Sequence, residues 1–227
     1  EVGPIFKGDN YEDQYNVVTG IRCGYKIKKS WKNAEVKFDF YDIKSDILAV
    51  LNVLEFPVSR LKIYSEAPDY FHPGRSALFK LGNTIIASFG QINPLCLNSK
   101  DKKIEFFAFE IYLDKIPLPK RKIFSKPLLK LNYLQSISRD FSFLINNELN
   151  VDDLINEIKL VDKILIQKIS VFDVYQGNNI PSNKKSVSLS IEIQPIDKSL
   201  TDDDLEKLSS QIIDSVFKKF GAEIRSL

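Results

Sequence analysis

Methionine is absent from this 227-residue chain, histidine and tryptophan occur once each, and cysteine occurs twice. A natural coding sequence starts with methionine, so a chain opening Glu1-Val2-Gly3-Pro4 is expected to be a fragment of something longer. Cys23 and Cys96 have no metal-type spacing, and two isolated thiols read as reduced residues of a cytoplasmic protein. One histidine, two distant thiols and scattered carboxylates do not make a zinc or iron site. No run approaches the ~18 consecutive apolar residues of a helical membrane span, and no basic-then-apolar leader supports secretion. Phosphate loops and dinucleotide fingerprints are also missing.

Charge of one sign is lacking too. Lys plus Arg number 32 against 30 Asp plus Glu. Residues 1–126 hold 20 basic and 15 acidic side chains, and residues 127–227 hold 12 and 15. Neither half is basic enough for bulk phosphate neutralisation, so any contact with nucleic acid must use a few placed groups. Lys26, Lys28, Lys29 and Lys32 surround Trp31. That pattern is compatible with an RNA patch, but a basic loop with one aromatic reads first as a solvated turn.

What is present is an ordinary globular composition, 44% hydrophobic. Residues 116–128 hold three prolines and four Lys or Arg, which marks an extended connection. The expected organisation is therefore a module at 1–118, a linker at 119–130 and a second domain at 131–227. In the first, Val36–Tyr41 reads as a strand. Asp42 reads as the N-cap of a helix carrying Ile43, Ile47, Val50, Leu51 and Leu54. Ser76–Leu81 and Thr84–Gly90 form a hairpin around Gly82-Asn83. Ile104–Leu113 adds a strand with Phe107, Phe109 and Ile111 on one face.

The second domain reads as βαββαβ. Asp140–Ile145 is a strand, and Val151, Leu154, Ile155 and Ile158 make a helix stripe. Ile164–Tyr175 is a long strand with a bulge, turned by Gly177-Asn178-Asn179. Lys185–Gln194 alternates cleanly. Thr201 and Asp204 make a capping box for a helix whose apolar face is Leu205, Leu208, Ile212, Val216 and Phe220. Gly221 ends that helix, and Ala222–Arg225 closes the sheet. This is the split-βαβ, ferredoxin-like order, with both helices on one face and the other face free.

Catalytic candidates are weak. His72 and Ser76 are neighbours in a stretch where Pro73-Gly74 reads as a turn, which favours structure over nucleophilic catalysis. Asp202, Asp203 and Asp204 suit a helix first turn better than a cation site. On the second domain, strand alternation puts Asp173 and Tyr175 on one face and Phe172 and Val174 inward. An exposed phenol beside a carboxylate suits unpaired RNA, because the ring stacks on a base and the carboxylate accepts from base amino groups. The plain alternative is an exposed Tyr and a turn-supporting Asp on an ordinary sheet.

Several ordered motifs weigh on that choice. Residues 139–225 carry Arg139-Asp140-Phe141, Val171-Phe172-Asp173-Val174-Tyr175-Gln176-Gly177, Ile180-Pro181 and Lys185-Ser186-Val187-Ser188-Leu189. They continue with Gln194, Ser199-Leu200-Thr201-Asp202 and Phe220-Gly221-Ala222-Glu223-Ile224-Arg225. This set resembles the ferredoxin-fold anticodon-binding domain of bacterial phenylalanine–tRNA ligase beta subunits. Glu1-Val2-Gly3-Pro4-Ile5-Phe6, Phe38-Asp39-Phe40-Tyr41-Asp42-Ile43-Lys44 and His72-Pro73-Gly74-Arg75-Ser76-Ala77 resemble that family's catalytic-like module. Two departures stand out: Gly90-Gln91-Ile92-Asn93-Pro94 replaces a Gly-Glu-Leu-His-Pro-like run, and Gln135 replaces a proline ahead of Arg139-Asp140.

The resemblance implies an α+β chain: a partial class II synthetase-like antiparallel module that is not catalytic, then a ferredoxin-like βαββαβ domain. It implies tRNA(Phe) as ligand, read at the anticodon by Asp173, Tyr175 and Ser186 through base hydrogen bonding, stacking and a supporting hydroxyl. It further implies an alpha subunit as partner in an alpha2-beta2 heterotetramer. That subunit holds the aminoacylation site, and ATP and Mg²⁺ serve the whole enzyme without binding this fragment. The competing expectation is a subunit-docking fragment whose ferredoxin-like part is only a scaffold.

Overall fold

The structure, a computed structural model, describes residues 1–98, 104–117, 128, 131–177 and 179–225. The chain divides into two compact units, Glu1–Ser125 and Lys126–Leu227.

Unit 1 is built on a six-stranded antiparallel sheet. Its strands are β1 (Val2–Phe6), β2 (Gln14–Cys23), β5 (Lys62–Tyr64), β6 (Phe71–Leu81), β7 (Thr84–Ile92) and β8 (Phe106–Tyr112), in the order β1-β2-β8-β7-β6-β5. A separate ribbon pairs β3 (Tyr25–Ile27) with β4 (Val36–Lys37). Helix α1 (Phe40–Val53) covers one face, burying Ile43, Ile47 and Leu51 against Phe89, Phe107, Phe109 and Ile111. Removing that apolar surface from water is the main stabilising contribution.

The expected strand Val36–Tyr41 stops at Lys37, because the helix begins at Phe40 and its cap is Asp39 rather than Asp42. Asp39 Oδ1 accepts from the amides of Tyr41 and Asp42, and Asp42 Oδ2 accepts from the amide of Asp39. Asp42 is thus the third helical residue of a capping box. Phe40 is drawn into the helix because its ring stacks on Phe89, with centroids 5.1 Å apart.

His72-Pro73-Gly74-Arg75 lies within β6 as a bulge, since the register slips between Phe71 and Ser76. Gly90 faces this bulge with φ +154°, and a Cβ there would come 2.5 Å from the Arg75 carbonyl oxygen. The backbone approach admits only glycine. The family's Glu and His positions hold Gln91 and Asn93, which do structural work. Gln91 Oε1 accepts from Arg75 at 3.0 Å, and Asn93 donates to the Asp69 carbonyl while accepting from the Leu95 amide.

Unit 2 contains β9 (Ile137–Asn146), α2 (Val151–Val161), β10 (Ile166–Tyr175), β11 (Lys184–Ile193), α3 (Asp202–Phe220) and β12 (Glu223–Ile224). The sheet order is β10-β11-β9-β12, all antiparallel. The βαββαβ expectation therefore matches the structure. Phe141, Phe143, Val187, Leu189 and Ile191 pack against Leu154, Ile158, Leu205, Leu208, Ile212 and Val216 of the two helices. Thr201 and Asp204 form the expected capping box, and Gly221 takes the left-handed conformation at φ 62°. Most of the expected linker 119–130, and Asn178 of the expected turn, lie outside the described residues.

Candidate nucleic-acid interface

The helices of unit 2 occupy one face of its sheet, so alternate residues of each strand point to the other. On β11 these are Ser186, Ser188, Ser190 and Glu192, and on β9 Ser138, Asp140, Ser142 and Leu144. On β10 the register slips between Val171 and Asp173, which leaves Phe172 as the extra residue. The slip sets Asp173 opposite Ser188 and Tyr175 opposite Ser186, so the three expected site residues share the open face.

The middle of this face is a plain of small hydroxyls. Ser142 pairs with Ser188 and Ser138 with Ser190, each at 2.8 Å between oxygens. Arg225 donates its amide to the Ser142 carbonyl at the far edge. Its guanidinium carbon stands 5.5 Å from the centroid of the Tyr175 ring. Neighbouring strands are ~4.8 Å apart, so the two side chains span three strand spacings and meet above serines. The contact is a cation–π pair.

Asp173 and Tyr175 are exposed, and neither side chain has a hydrogen-bond partner among the described residues. Ser186 differs. It is 2% exposed, set between Tyr175 and Leu144 on its own face, so its hydroxyl is almost wholly covered in this arrangement. Val174 lies opposite Val187 and so shares the helix-side face, as alternation suggests, whereas Phe172 is the extra residue of the bulge. Both remain exposed, at 53% and 59% respectively, at the far end of an edge strand whose other end, at Ile166, enters the core.

The tip next to Tyr175 is held by Asn147. Its carbonyl accepts from Lys185, its side-chain oxygen accepts from Gln176 at 2.9 Å, and its side-chain amide donates to the Ser182 carbonyl. Arg225 is the neighbour of Tyr175 that strand reading passes over. In the sequence it is only the last residue of a short strand, and nothing local says that it crosses the sheet.

The described residues of unit 1 do not assemble the pair that the sequence suggested for chemistry. His72 Nδ1 accepts from the Gly74 amide, and Ser76 donates to the His72 carbonyl rather than to the imidazole. The nucleophile–base pair is not formed. Glu110 accepts from Tyr70, Tyr112 and Ser88 at 2.7, 3.2 and 3.3 Å. Burial, then the neighbouring Glu110 carboxylate, pushes the Tyr70 phenol well above its ordinary value. Among the described residues no group of three or more His, Cys, Asp or Glu is arranged to hold a metal ion. Among them, too, no helix is long and apolar enough to cross a membrane.

Comparison with known proteins accounts for both units. Residues 1–113 match the family model described as phenylalanyl tRNA synthetase beta chain CLM domain. Residues 133–225 match the ferredoxin-fold anticodon binding domain. The phenylalanine–tRNA ligase beta subunit of Rhodospirillum rubrum is 38% identical over 227 residues, covering 100% of this chain and 28% of that protein. Those of Bradyrhizobium diazoefficiens and Paramagnetospirillum magneticum are 35% and 37% identical, covering 100% and 99% of this chain and 29% and 28% of theirs. The chain thus spans less than a third of the length of these relatives. With one family model over each unit and this identity along its full length, the chain belongs to the phenylalanine–tRNA ligase beta-subunit family.

Proposed function

We propose that this chain is the anticodon-reading and assembly portion of a phenylalanine–tRNA ligase, with tRNA(Phe) as its ligand. The observation that carries the reading is the Arg225–Tyr175 pair above the serine plain, with Asp173 beside it, on a domain matched by an anticodon-binding family model. A base entering this face would stack on the Tyr175 ring, with the Arg225 cation close to its π-face or backbone. The Asp173 carboxylate accepts from base amino groups. Ser186 supplies its supporting hydroxyl once Tyr175 moves aside.

Unit 1 docks an alpha subunit, which carries the aminoacylation site, and the two assemble as an alpha2-beta2 heterotetramer in the cytoplasm. ATP and Mg²⁺ serve adenylate formation by that whole enzyme. No step of that chemistry is assigned to the residues of this chain.

The test is Tyr175→Ala in the full-length subunit assembled with its partner. The KM for tRNA(Phe) should rise by about five- to a hundredfold, the equivalent of the ~1–3 kcal/mol that a stacked base contributes. Phenylalanine-dependent ATP–pyrophosphate exchange should stay unchanged. Unaltered tRNA kinetics would leave only the scaffold reading.

A further inference from the structure

The β3–β4 ribbon of unit 1 separates its charges by position. At the base, Arg22 donates twice to Asp46, at 2.5 and 2.8 Å, and Lys26 pairs with Asp42 at 2.6 Å. Those two cations fasten the ribbon and its preceding strand to α1. Towards the tip, Lys28, Lys29 and Lys32 have no carboxylate partner among the described residues. Residues 25–37 carry five lysines against one acid, Glu35, a large share of the excess positive charge of residues 1–126.

The tip itself is ordered. The Ser30 amide donates to the Asn33 carbonyl at 3.0 Å, and the Ser30 hydroxyl accepts from the amides of Lys32 and Asn33. Trp31 and Lys32 are therefore the two residues of a closed turn. The indole of Trp31 is 97% exposed, so it adds nothing to the core. A solvated turn accounts for the lysines alone, whereas here they flank an indole presented in full, an aromatic face within a basic surround.

We infer that this tip is a second RNA contact, separate from the sheet face of unit 2, in which Trp31 stacks on an unpaired base while Lys28, Lys29 and Lys32 neutralise the flanking phosphates. The occupant is read from charge. Lysine is depleted at protein–protein interfaces, whereas aromatic stacking within a basic surround is how single-stranded nucleic acid is held without sequence preference. The inference rests on the proposal that the parent enzyme binds tRNA.

The experiment uses the full-length subunit assembled with its partner, with tRNA(Phe) as probe and binding measured across a salt series. Trp31→Ala should weaken binding about five- to a hundredfold, with Trp31→Phe recovering most of the loss. The triple change of Lys28, Lys29 and Lys32 to Gln should lower the slope of log affinity against log salt by about 2. Tyr175→Ala runs alongside. If it weakens binding while the ribbon variants leave affinity and slope unchanged, this inference is overturned and the anticodon reading survives. If none of the variants matters, both fall. Ribbon variants that impair subunit assembly, with unchanged tRNA affinity per assembled enzyme, would assign the tip to a protein partner and also overturn the inference.

Discussion

The phenolic oxygen of Tyr175 lies where a side chain on Gly177 would begin: a Cβ built on that glycine collides with the hydroxyl and with the ring carbon that bears it. Gly177 therefore lets the ring settle along its own strand, in reach of Arg225. Gly177→Ala should displace the ring, a movable side-chain end, rather than the backbone. The expected result is a thermal midpoint close to that of the parent and a tRNA affinity lowered by part of the ~1–3 kcal/mol that stacking provides. Tritiated-tRNA filter binding and a melting curve on the same sample check both halves.

Gly90 is the opposite case. Its missing side chain faces backbone, with the Arg75 oxygen at 2.5 Å and Ser76 Cα at 2.6 Å from an ideal Cβ, and its φ is +154°. Nothing flexible stands there to yield. Gly90→Ala should cost about 2 kcal/mol or more and open the β6–β7 pairing beside the bulge. Chemical denaturation would show the loss, and hydrogen exchange would place it at residues 75–77 and 89–91.

Glu157 joins the two helices of unit 2, accepting from Ser215 at 2.6 Å and Lys219 at 2.5 Å. The Lys219 ammonium, then the Ser215 hydroxyl, hold its carboxyl below the ordinary carboxylate value. A lowered folded-state pKa adds stability above the unfolded value, and that stability is lost as pH falls through the folded one. Glu157→Gln should cost about 0.5–1.5 kcal/mol near neutrality. Parent and variant should converge as the pH drops below the usual carboxylate range. A gap that persists into acid would mean that packing, not charge, is responsible.

Asp39 and Asp42 occupy different places in one cap. Asp39→Ala removes the acceptor for two first-turn amides and should destabilise by about 1 kcal/mol. Asp42→Asn keeps an acceptor for the Asp39 amide and loses only an exposed pairing with Lys26, so its effect should be smaller. Paired urea titrations decide the ranking, and equal losses would count against it.

That pair also shows where sequence reading stopped. The apolar stripe Ile43, Ile47 and Leu51 announced α1, but two acids three residues apart are equally good caps on paper. Only the Phe40–Phe89 stack, a contact 49 positions apart in the chain, selects the earlier one. Unit 2 was more legible because β9 and β11 alternate strictly and its last helix carries both of its end signals. That Asp173 and Tyr175 share a face followed from period-two geometry, but it is the bulge at Phe172 that turns this face outward. The burial of Ser186 and the arrival of Arg225 did not follow from alternation, since both depend on which strands become neighbours.

The row of paired serines sets a constraint of its own. Hydroxyls there satisfy one another, and their low profile is what keeps a cation and a ring in touch from opposite margins of the sheet. A valine at Ser142 or a leucine at Ser188 would raise a ridge between them without touching either. Any shift in ligand preference on this surface is therefore as open to changes of height in the floor as to changes in the groups that rise above it.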